Sequence, residues 1–429
     1  MPRNTSAKAP HIKSVAIENF KALRHSGSVK LKPLTVLIGN NGSGKSSLVE
    51  AIETYRRIVM EGADAAMEHW QGMEHIRHKA AVPRLTTTAR VEPGRQQNAM
   101  EFTLKLATAE GAAELNLELN TRENGNLLYI QHEQFLLGKE GVQRNALGVR
   151  GRNSVGFVNS PVFQADLNAA VQTLSGGQSL LPYLSALRSV TTALRQFLFL
   201  RLNPETIGSL QPLKRSGGRV QLSADGSNVA EYLIDLRERS PSAFDSVIQA
   251  VRFVLPYAAD VEPRIVDAGV IRRGYVQLLE GAYEIPGWLM SWGSLRVLPL
   301  IATLLDPDPP PVVFVEELEN GLDPRTVGLL VDLMRDATAS GRTQVIATTH
   351  SPYLLDLLGL DDVLLCERTP KGPAFTWPAD NKDLAHWRDR FQPGKLYTMR
   401  VLQQAEAGVE PDSQSKQGEA PEGGWGEAQ

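Results

Sequence analysis

Leu34 to Ile38 is a nearly continuous apolar run, and it stops on Gly39-Asn40-Asn41-Gly42-Ser43-Gly44-Lys45-Ser46. A short apolar run without alternation is the mark of a strand buried on both faces. Such a strand needs layers packed on either side, which commits the chain to a layered α/β architecture. A helical pattern follows from Lys45 to about Val59, with Leu48, Ile52, Tyr55 and Val59 on one side. Strand, glycine-rich turn and helix in this order, with the spacing G-x-x-x-x-G-K-[ST], form a cradle for phosphate oxygens. The glycines let backbone N–H groups turn inward. Lys45 would reach the β- and γ-phosphates, and the Ser46 hydroxyl would ligate Mg²⁺. Gly39, Asn40, Asn41, Gly42, Ser43, Gly44 and Ser47 complete the expected binding set. ATP and Mg²⁺ are therefore the expected cofactors.

The last third of the chain alternates strand and helix. Val312 to Val315, Gln344 to Thr348 and Val363 to Cys366 read as strands; Arg325 to Ala339 and Tyr353 to Leu358 read as helices. Alternation of this kind implies a parallel sheet with crossover helices, so the two ends of the chain are expected to build one sheet. Val312-Val313-Phe314-Val315 ends on Glu316 and Glu317. Carboxylates at the tip of a buried strand need a reason to be there. Glu316 would hold Mg²⁺ through water and Glu317 would polarise an attacking water. Glu319-Asn320-Gly321-Leu322-Asp323-Pro324 follows at once, and Thr348-Thr349-His350-Ser351-Pro352 ends the next strand. His350 is placed to sense a γ-phosphate.

This order of phosphate loop, acid pair, Asn-Gly-Leu-Asp-Pro and Thr-His-Ser-Pro resembles the ABC-type ATPase heads of the SMC, RecF and OLD class. Ile17-Glu18-Asn19-Phe20-Lys21 at the start and Leu222 to Ala230 in the middle resemble stretches of the same class. The resemblance covers roughly residues 12–60 and 220–400. It implies ATP hydrolysis in the compact form of the class, without long coiled coils. It puts Lys21 against nucleotide phosphates and Asp323 in the nucleotide set. It also implies a signature loop that completes a partner's site. The letters Leu-Ser-Gly-Gly-Gln stand at Leu174 to Gln178, but 134 residues separate Gln178 from Val312. Only 19 separate Gly293 from Val312, a gap filled by a helix expected from Leu295 to Leu305. Met290-Ser291-Trp292-Gly293-Ser294 is therefore the expected signature, with Ser291 and Gly293 as its contacts. Head pairing around ATP, a switch role in prokaryotic DNA repair or antiphage defence, a separate nuclease or other effector and DNA as a partner come from the resemblance alone. The alternatives are an ATPase subunit of a transporter and a low-turnover ATP sensor.

The middle of the chain is matched only loosely. Met100, Phe102, Leu104 and Leu106 alternate with other residues, as do Leu115, Leu117 and Leu119, and Asn124-Gly125 between such runs signals a hairpin. Residues 180–202 and 228–254 carry a helical period. The expected fold class is thus an α/β P-loop NTPase of the ABC-head type with a mixed or parallel sheet, an antiparallel β subdomain and an inserted helical lobe. The expected divisions are 1–11, flexible; 12–80, first half of the head; 81–140, antiparallel β; 141–285, helical insertion; 286–403, second half of the head; and 404–429, a disordered tail. Arg144, Arg150, Arg152, Arg188, Arg195 and Arg201 read as a solvated basic face, with a DNA-facing strip as the alternative.

Composition sets limits on partners. With 45 basic and 48 acidic residues the formal net charge is -3, so coating nucleic acid by overall charge is excluded. Cys366 is the single cysteine, which leaves no disulfide within one chain and fits the cytoplasm. No apolar run reaches the roughly 18–20 residues of a bilayer span, and the opening residues lack the apolar stretch of a signal peptide. His11, His25, His69, His75, His78, His132 and His386 show no metal-ligand spacing.

Overall fold

The computed structural model of the chain describes residues 9–79, 99–122, 127–147, 152–158, 174–213, 218–269, 271–370, 372–384 and 390–402. β1 (His11–Phe20) pairs antiparallel with β2 (Leu23–His25) and β3 (Val29–Lys30). β4 (Leu34–Ile38) leaves for a second sheet, and α1 (Lys45–Glu61) and α2 (Ala63–His69) return over the first. The first sheet then continues through β5 (Met100–Thr108), β6 (Gly111–Arg122), β7 (Leu127–Leu137), β8 (Glu140–Leu147) and β9 (Arg152–Val158). Its order is β2-β1-β5-β6-β7-β8-β9, all antiparallel, so β1 is paired on both sides rather than at an edge. Met100, Phe102, Leu104 and Leu106 turn one face inward, and Phe102 meets Tyr55 of α1 at 6.2 Å between ring centres. The expected Asn124-Gly125 turn lies outside the described residues, but the strands on either side of it pair as a hairpin, Arg122 opposite Leu127.

The polar face of this sheet carries a row of like charges. Glu18, Glu101 and Glu118 are cross-strand neighbours on β1, β5 and β6. Partial burial, and then the repulsion of Glu18 and Glu118, lift the Glu101 carboxyl to about 7 from an ordinary 4.5. The folded state therefore holds this proton more tightly than the unfolded chain. Its contribution to stability is lost as pH rises from the ordinary value through about 7. Glu101→Gln should raise the melting temperature at about pH 8, with the gain vanishing toward about pH 4.5. A gain of the same size at both pH values would overturn this account.

α3 (Arg188–Gln196) is followed directly by β10 (Leu198–Leu200). β11 (Gln211–Pro212) comes next, then α4 (Val229–Arg239) and α5 (Pro241–Val254), which begins where Pro241 suits a first helical turn. β12 (Asp260–Ala268), β13 (Ile271–Glu280) and β14 (Tyr283–Pro286) form a small antiparallel sheet with β11. These findings correct two expectations. The helical period assigned to 180–202 ends at Gln196, because Leu198–Leu200 joins the main sheet. The described residues of 141–285 are not a helical insertion but mixed, with β8 and β9 extending the first sheet and β12 to β14 making a third.

The main sheet holds the chemistry. α6 (Trp292–Leu305) precedes β15 (Val312–Val315), and α7 (Pro324–Ala339) leads to β16 (Gln344–Thr349). α8 (Pro352–Asp356), β17 (Val363–Thr369), β18 (Gly372–Thr376) and α9 (Pro393–Thr398) follow. The order is β10-β15-β16-β4-β17-β18, parallel from β10 to β17 with an antiparallel edge at β18. Side chains alternate across a strand. Val36, Ile38, Val313, Val315, Val345 and Ala347 enter one core, shared with α4 to α7. Leu37, Val312, Phe314, Ile346 and Leu364 enter the other, shared with α1 and the first sheet. Both faces are covered, which is why these strands read as apolar runs. Gln344, fully buried, ties the sheets together: its amide bonds the N–H of Ile12 at 2.8 Å and the carbonyls of Ile12 and Lys32 at 2.9 and 3.0 Å. Among the described residues no helix is long and apolar enough to cross a membrane.

Candidate functional site

The turn between β4 and α1 has a backbone that only glycine takes easily. Gly42 and Gly44 have φ of 75° and 103°, in the left-handed region. A Cβ on Gly39 would collide with the carbonyl of Cys366, since the loop runs against β17. Lys45 opens α1 and is buried. Its Nζ donates to the carbonyls of Gly39 at 2.6 Å and Asn40 at 3.2 Å, so the side chain arches over the loop. Burial lowers the Lys45 ammonium below its ordinary range, with Glu317 and Glu319 pulling the other way. The N-terminus of α1 has no side-chain cap, and the buried Ser43 Oγ has no hydrogen-bond partner among the described residues. Free N–H groups at a helix start, a buried ammonium and an unpaired hydroxyl form a donor set suited to a polyphosphate. Ser46 faces solvent one residue into the helix.

β15 delivers Glu316 and Glu317. Glu317 leaves the strand with φ 49°, a left-handed conformation that costs a non-glycine residue on the order of 1 kcal/mol. Its N–H donates to Thr348 Oγ1 at 3.0 Å, and its Oε2 accepts from Asn320 Nδ2 at 3.2 Å. β16 lies between β15 and β4, so His350 at its tip stands between the acid pair and the phosphate loop. The His350 N–H donates to Glu319 Oε1 at 2.8 Å, and its ring is exposed. Glu316 accepts from Arg201 Nε at 2.7 Å. Burial lifts the Glu316 carboxyl above its ordinary range, and Arg201 opposes that shift. No group of three or more His, Cys, Asp or Glu among the described residues could hold a metal ion by itself. Mg²⁺ is ordinarily held by one or two carboxylates plus substrate phosphates rather than by such a cage, and the exposed Ser46 hydroxyl and the Glu316 carboxylate are ligands of that kind.

Ser291 is the N-cap of α6, its Oγ accepting from the Ser294 N–H at 3.2 Å. Gly293 packs on the loop after the acid pair: a Cβ there would lie 2.5 Å from the Gly321 carbonyl. Trp292 and its neighbours Trp288 and Leu289 are largely exposed. The other signature-like stretch sits elsewhere. Gly176 and Gly177 accept from the N–H groups of Ile130 and Ala63 at 2.8 Å, and no α-helix starts there. Leu174–Gln178 is thus a turn packed on β7 and α2. Asp323 caps α7, accepting from the N–H groups of Arg325 and Thr326 at 2.9 and 3.1 Å and from Thr326 Oγ1. Its carboxylate, expected in the nucleotide set, is engaged by its own helix.

Residues 169–356 match a family model described as "AAA domain, putative AbiEii toxin, Type IV TA system", and residues 11–56 match one described as "AAA ATPase domain". The two matches enclose the phosphate loop on one side and the acid pair with His350 on the other. Both halves of the site thus fall within AAA ATPase family matches, and the chain is an ATPase. Among solved structures, an Smc head bound to the C-terminal winged-helix domain of ScpA is similar with a TM-score of 0.49 and 12% identity, over 85% of this chain and 97% of that chain. An Smc head domain with an extended coiled coil bound to the C-terminal domain of ScpA, from Pyrococcus furiosus, has a TM-score of 0.49 and 12% identity, over 86% and 96%. The SMC head domain from Thermotoga maritima has a TM-score of 0.37 and 14% identity, over 85% and 98%. No curated protein matches the chain.

In this ATPase the structure also brings in residues that motif reading missed. Arg201, read as part of a basic face, sits instead between Glu316 and Glu53 of α1, with Nη1 2.6 Å from Glu53 Oε2. Arg144 is buried against Glu133, so it too leaves the expected strip, while Arg150 lies outside the described residues. Arg368 of β17 donates to the Gly42 carbonyl at 3.4 Å, and Tyr397 of α9 reaches Asn40 Oδ1 at 3.4 Å. Lys21, which the resemblance puts against nucleotide phosphates, turns toward α1, its Nζ 2.8 Å from Glu50 Oε2 and 3.7 Å from the centre of the Trp70 ring. No spacing rule links Arg201, Arg368 or Tyr397 to the loop, because each arrives from a different strand or helix.

Proposed function

We propose that two copies of this ATPase pair head to head around Mg-ATP, each Ser291 loop completing the site built on the other's phosphate loop. The observation that carries this reading is the start of α6. A serine-capped helix offers free N–H groups, and it is ringed by large exposed apolar side chains. Trp292 is 65% exposed, Leu289 69% and Trp288 53%. Apolar residues grouped at the surface mark interaction sites. A helix N-terminus among them suits an anion presented by the partner.

Within one site, Lys45 and the loop N–H groups bind the phosphates, and Ser46 with Glu316 holds Mg²⁺. Bound Mg²⁺ would offset charge on the β- and γ-oxygens. Glu317 accepts the proton of the attacking water, and its conformation is held by Thr348 and Asn320. His350 reads the γ-phosphate. Lys21 stands by the same helix. Each preorganised donor at such a site contributes about 3–4 kcal/mol to the transition state, so an unpaired head turns over slowly. Loss of the γ-phosphate contacts after hydrolysis lets the heads part. The pair then acts as a switch on DNA or on a separately encoded effector such as a nuclease, in DNA repair or defence. The toxin–antitoxin wording of the larger family match supports a defence setting.

The test is the solution mass of Glu317→Gln with and without Mg-ATP, beside the same variant carrying Ser291→Arg. ATP-dependent doubling that Ser291→Arg abolishes is the expected result. A mass unaffected by ATP would sink the paired-head reading.

A further inference from the structure

We propose that Arg201 is a positioning residue that serves as the internal counter-ion of Glu316 and competes there with a divalent metal, bound directly or through water. The inference rests on Glu316 being the metal-holding acid. It goes beyond that reading by assigning a competitor built into the same chain.

The strand pairing makes the contact obligatory. β10 runs parallel to β15 with Leu200 opposite Val315, and the Glu316 N–H donates to the Leu200 carbonyl at 3.1 Å. Arg201 and Glu316 therefore leave neighbouring strands side by side. The guanidinium spans two acids, with Nε on Glu316 Oε1 at 2.7 Å and Nη1 on Glu53 Oε2 at 2.6 Å. Its Nη2 is buried without a hydrogen-bond partner among the described residues. The two acids are not equivalent. Glu53 is 4% exposed and is also bonded to Arg57 at 3.2 Å, whereas Glu316 is 21% exposed. Glu53 is the fixed anchor, and Glu316 is the partner open to exchange. A dication drawn to Glu316 meets a guanidinium already there, and like charges at contact distance in a partly buried site repel strongly. A metal alone is thus disfavoured. Phosphate charge beside the metal would offset the repulsion, and Glu316 would then be free to hold the metal while Arg201 stays tethered by Glu53. The arrangement favours the metal–nucleotide complex over free metal.

The experiment is Mn²⁺ binding to the full chain, read by the electron paramagnetic resonance of free Mn²⁺ without nucleotide. Arg201→Gln should tighten Mn²⁺ binding by on the order of tenfold to a hundredfold, the scale of losing one like-charge contact in a partly buried site. Arg201→Lys, which keeps the charge, should stay near the parent chain. Glu316→Gln added to Arg201→Gln should cancel the gain. Unchanged affinity in Arg201→Gln overturns the proposal, and so does a gain that survives Glu316→Gln. The underlying reading fails separately: Glu316→Gln alone would then leave Mn²⁺ affinity in the presence of ATP unchanged. If Arg201→Gln does not fold, the unsubstituted chain with ¹⁵N-labelled arginine decides. The Arg201 Nε signal, identified by its loss in Arg201→Lys, should move with Mg²⁺ and a slowly hydrolysed ATP analogue. An equal movement with the analogue and a chelator overturns the proposal.

Discussion

Glu317→Gln is expected to lower the rate of ATP hydrolysis by about 10²–10⁴-fold while leaving ATP binding intact, the usual range for loss of a positioned proton acceptor. Three observations make Glu317 the residue to change. It ends a strand whose other residues are all buried. Its backbone is held in a left-handed conformation by Thr348 Oγ1, and its carboxylate is oriented by Asn320. Gln keeps the size and the bond to Asn320 but removes the proton acceptor, so a structural role would show no such loss. In the proposed site the phosphates are bound by Lys45 and the loop, whose residues the substitution leaves in place. Measured by phosphate release and by nucleotide titration, a full loss with retained binding assigns the base. Unaltered turnover would move that role elsewhere. A parent chain already as slow as Glu317→Gln would favour the ATP-sensor alternative.

The second large effect concerns stability. Glu133 of β7 and Arg144 of β8 form an ion pair of 2.8 Å with side chains 0% and 2% exposed. Glu133 also accepts from Ser179 Oγ at 2.9 Å and the Leu180 N–H at 3.0 Å, and Arg144 donates to the Gln178 carbonyl at 2.6 Å. The pair pins the Gln178–Leu180 segment to the first sheet. Burial lifts the Glu133 carboxyl above its ordinary range, and Arg144 is the main force against that shift. Removing one partner strands a buried charge, so Arg144→Met should destabilise the fold by about 3–5 kcal/mol. Replacing both, as Glu133→Leu with Arg144→Met, should recover much of the loss, because a buried ion pair gains little over apolar groups of similar volume. Urea unfolding of the single and double variants measures both. Equal destabilisation in the single and double variants would mean that the bonds to Ser179, Leu180 and Gln178, rather than the ion pair, carry the stability. Those bonds make the turn at Leu174–Gln178 a structural latch, despite its signature-like letters.

What could be read directly was chemistry written in consecutive residues. The phosphate loop is local geometry: its glycines, Lys45 and Ser46 are within one turn and one helix start. The same holds for Glu316-Glu317 at the end of an apolar run and for Ser291 at a helix cap. Buried strands announce themselves by apolar runs because both faces are covered, so β4, β15, β16 and β17 were legible. β10 was not, since Leu198-Phe199-Leu200 is too short to break the helical period before it. The strands Glu140–Leu147, Arg152–Val158, Asp260–Ala268, Ile271–Glu280 and Tyr283–Pro286 were missed in a region expected to be helical, because antiparallel strands carry a weaker pattern than parallel strands buried on both faces.

The sequence by itself determined a glycine-rich loop of phosphate-binding type and a strand tipped with carboxylates, because those features need only neighbouring residues. The tertiary structure alone decided which charges meet. Arg201 lies 115 residues from Glu316 along the chain, and nothing in its surroundings in the sequence marks it. It reaches that carboxylate because Leu198–Leu200 pairs in parallel with Val312–Val315, and a pairing between distant strands is set by packing that no local pattern records.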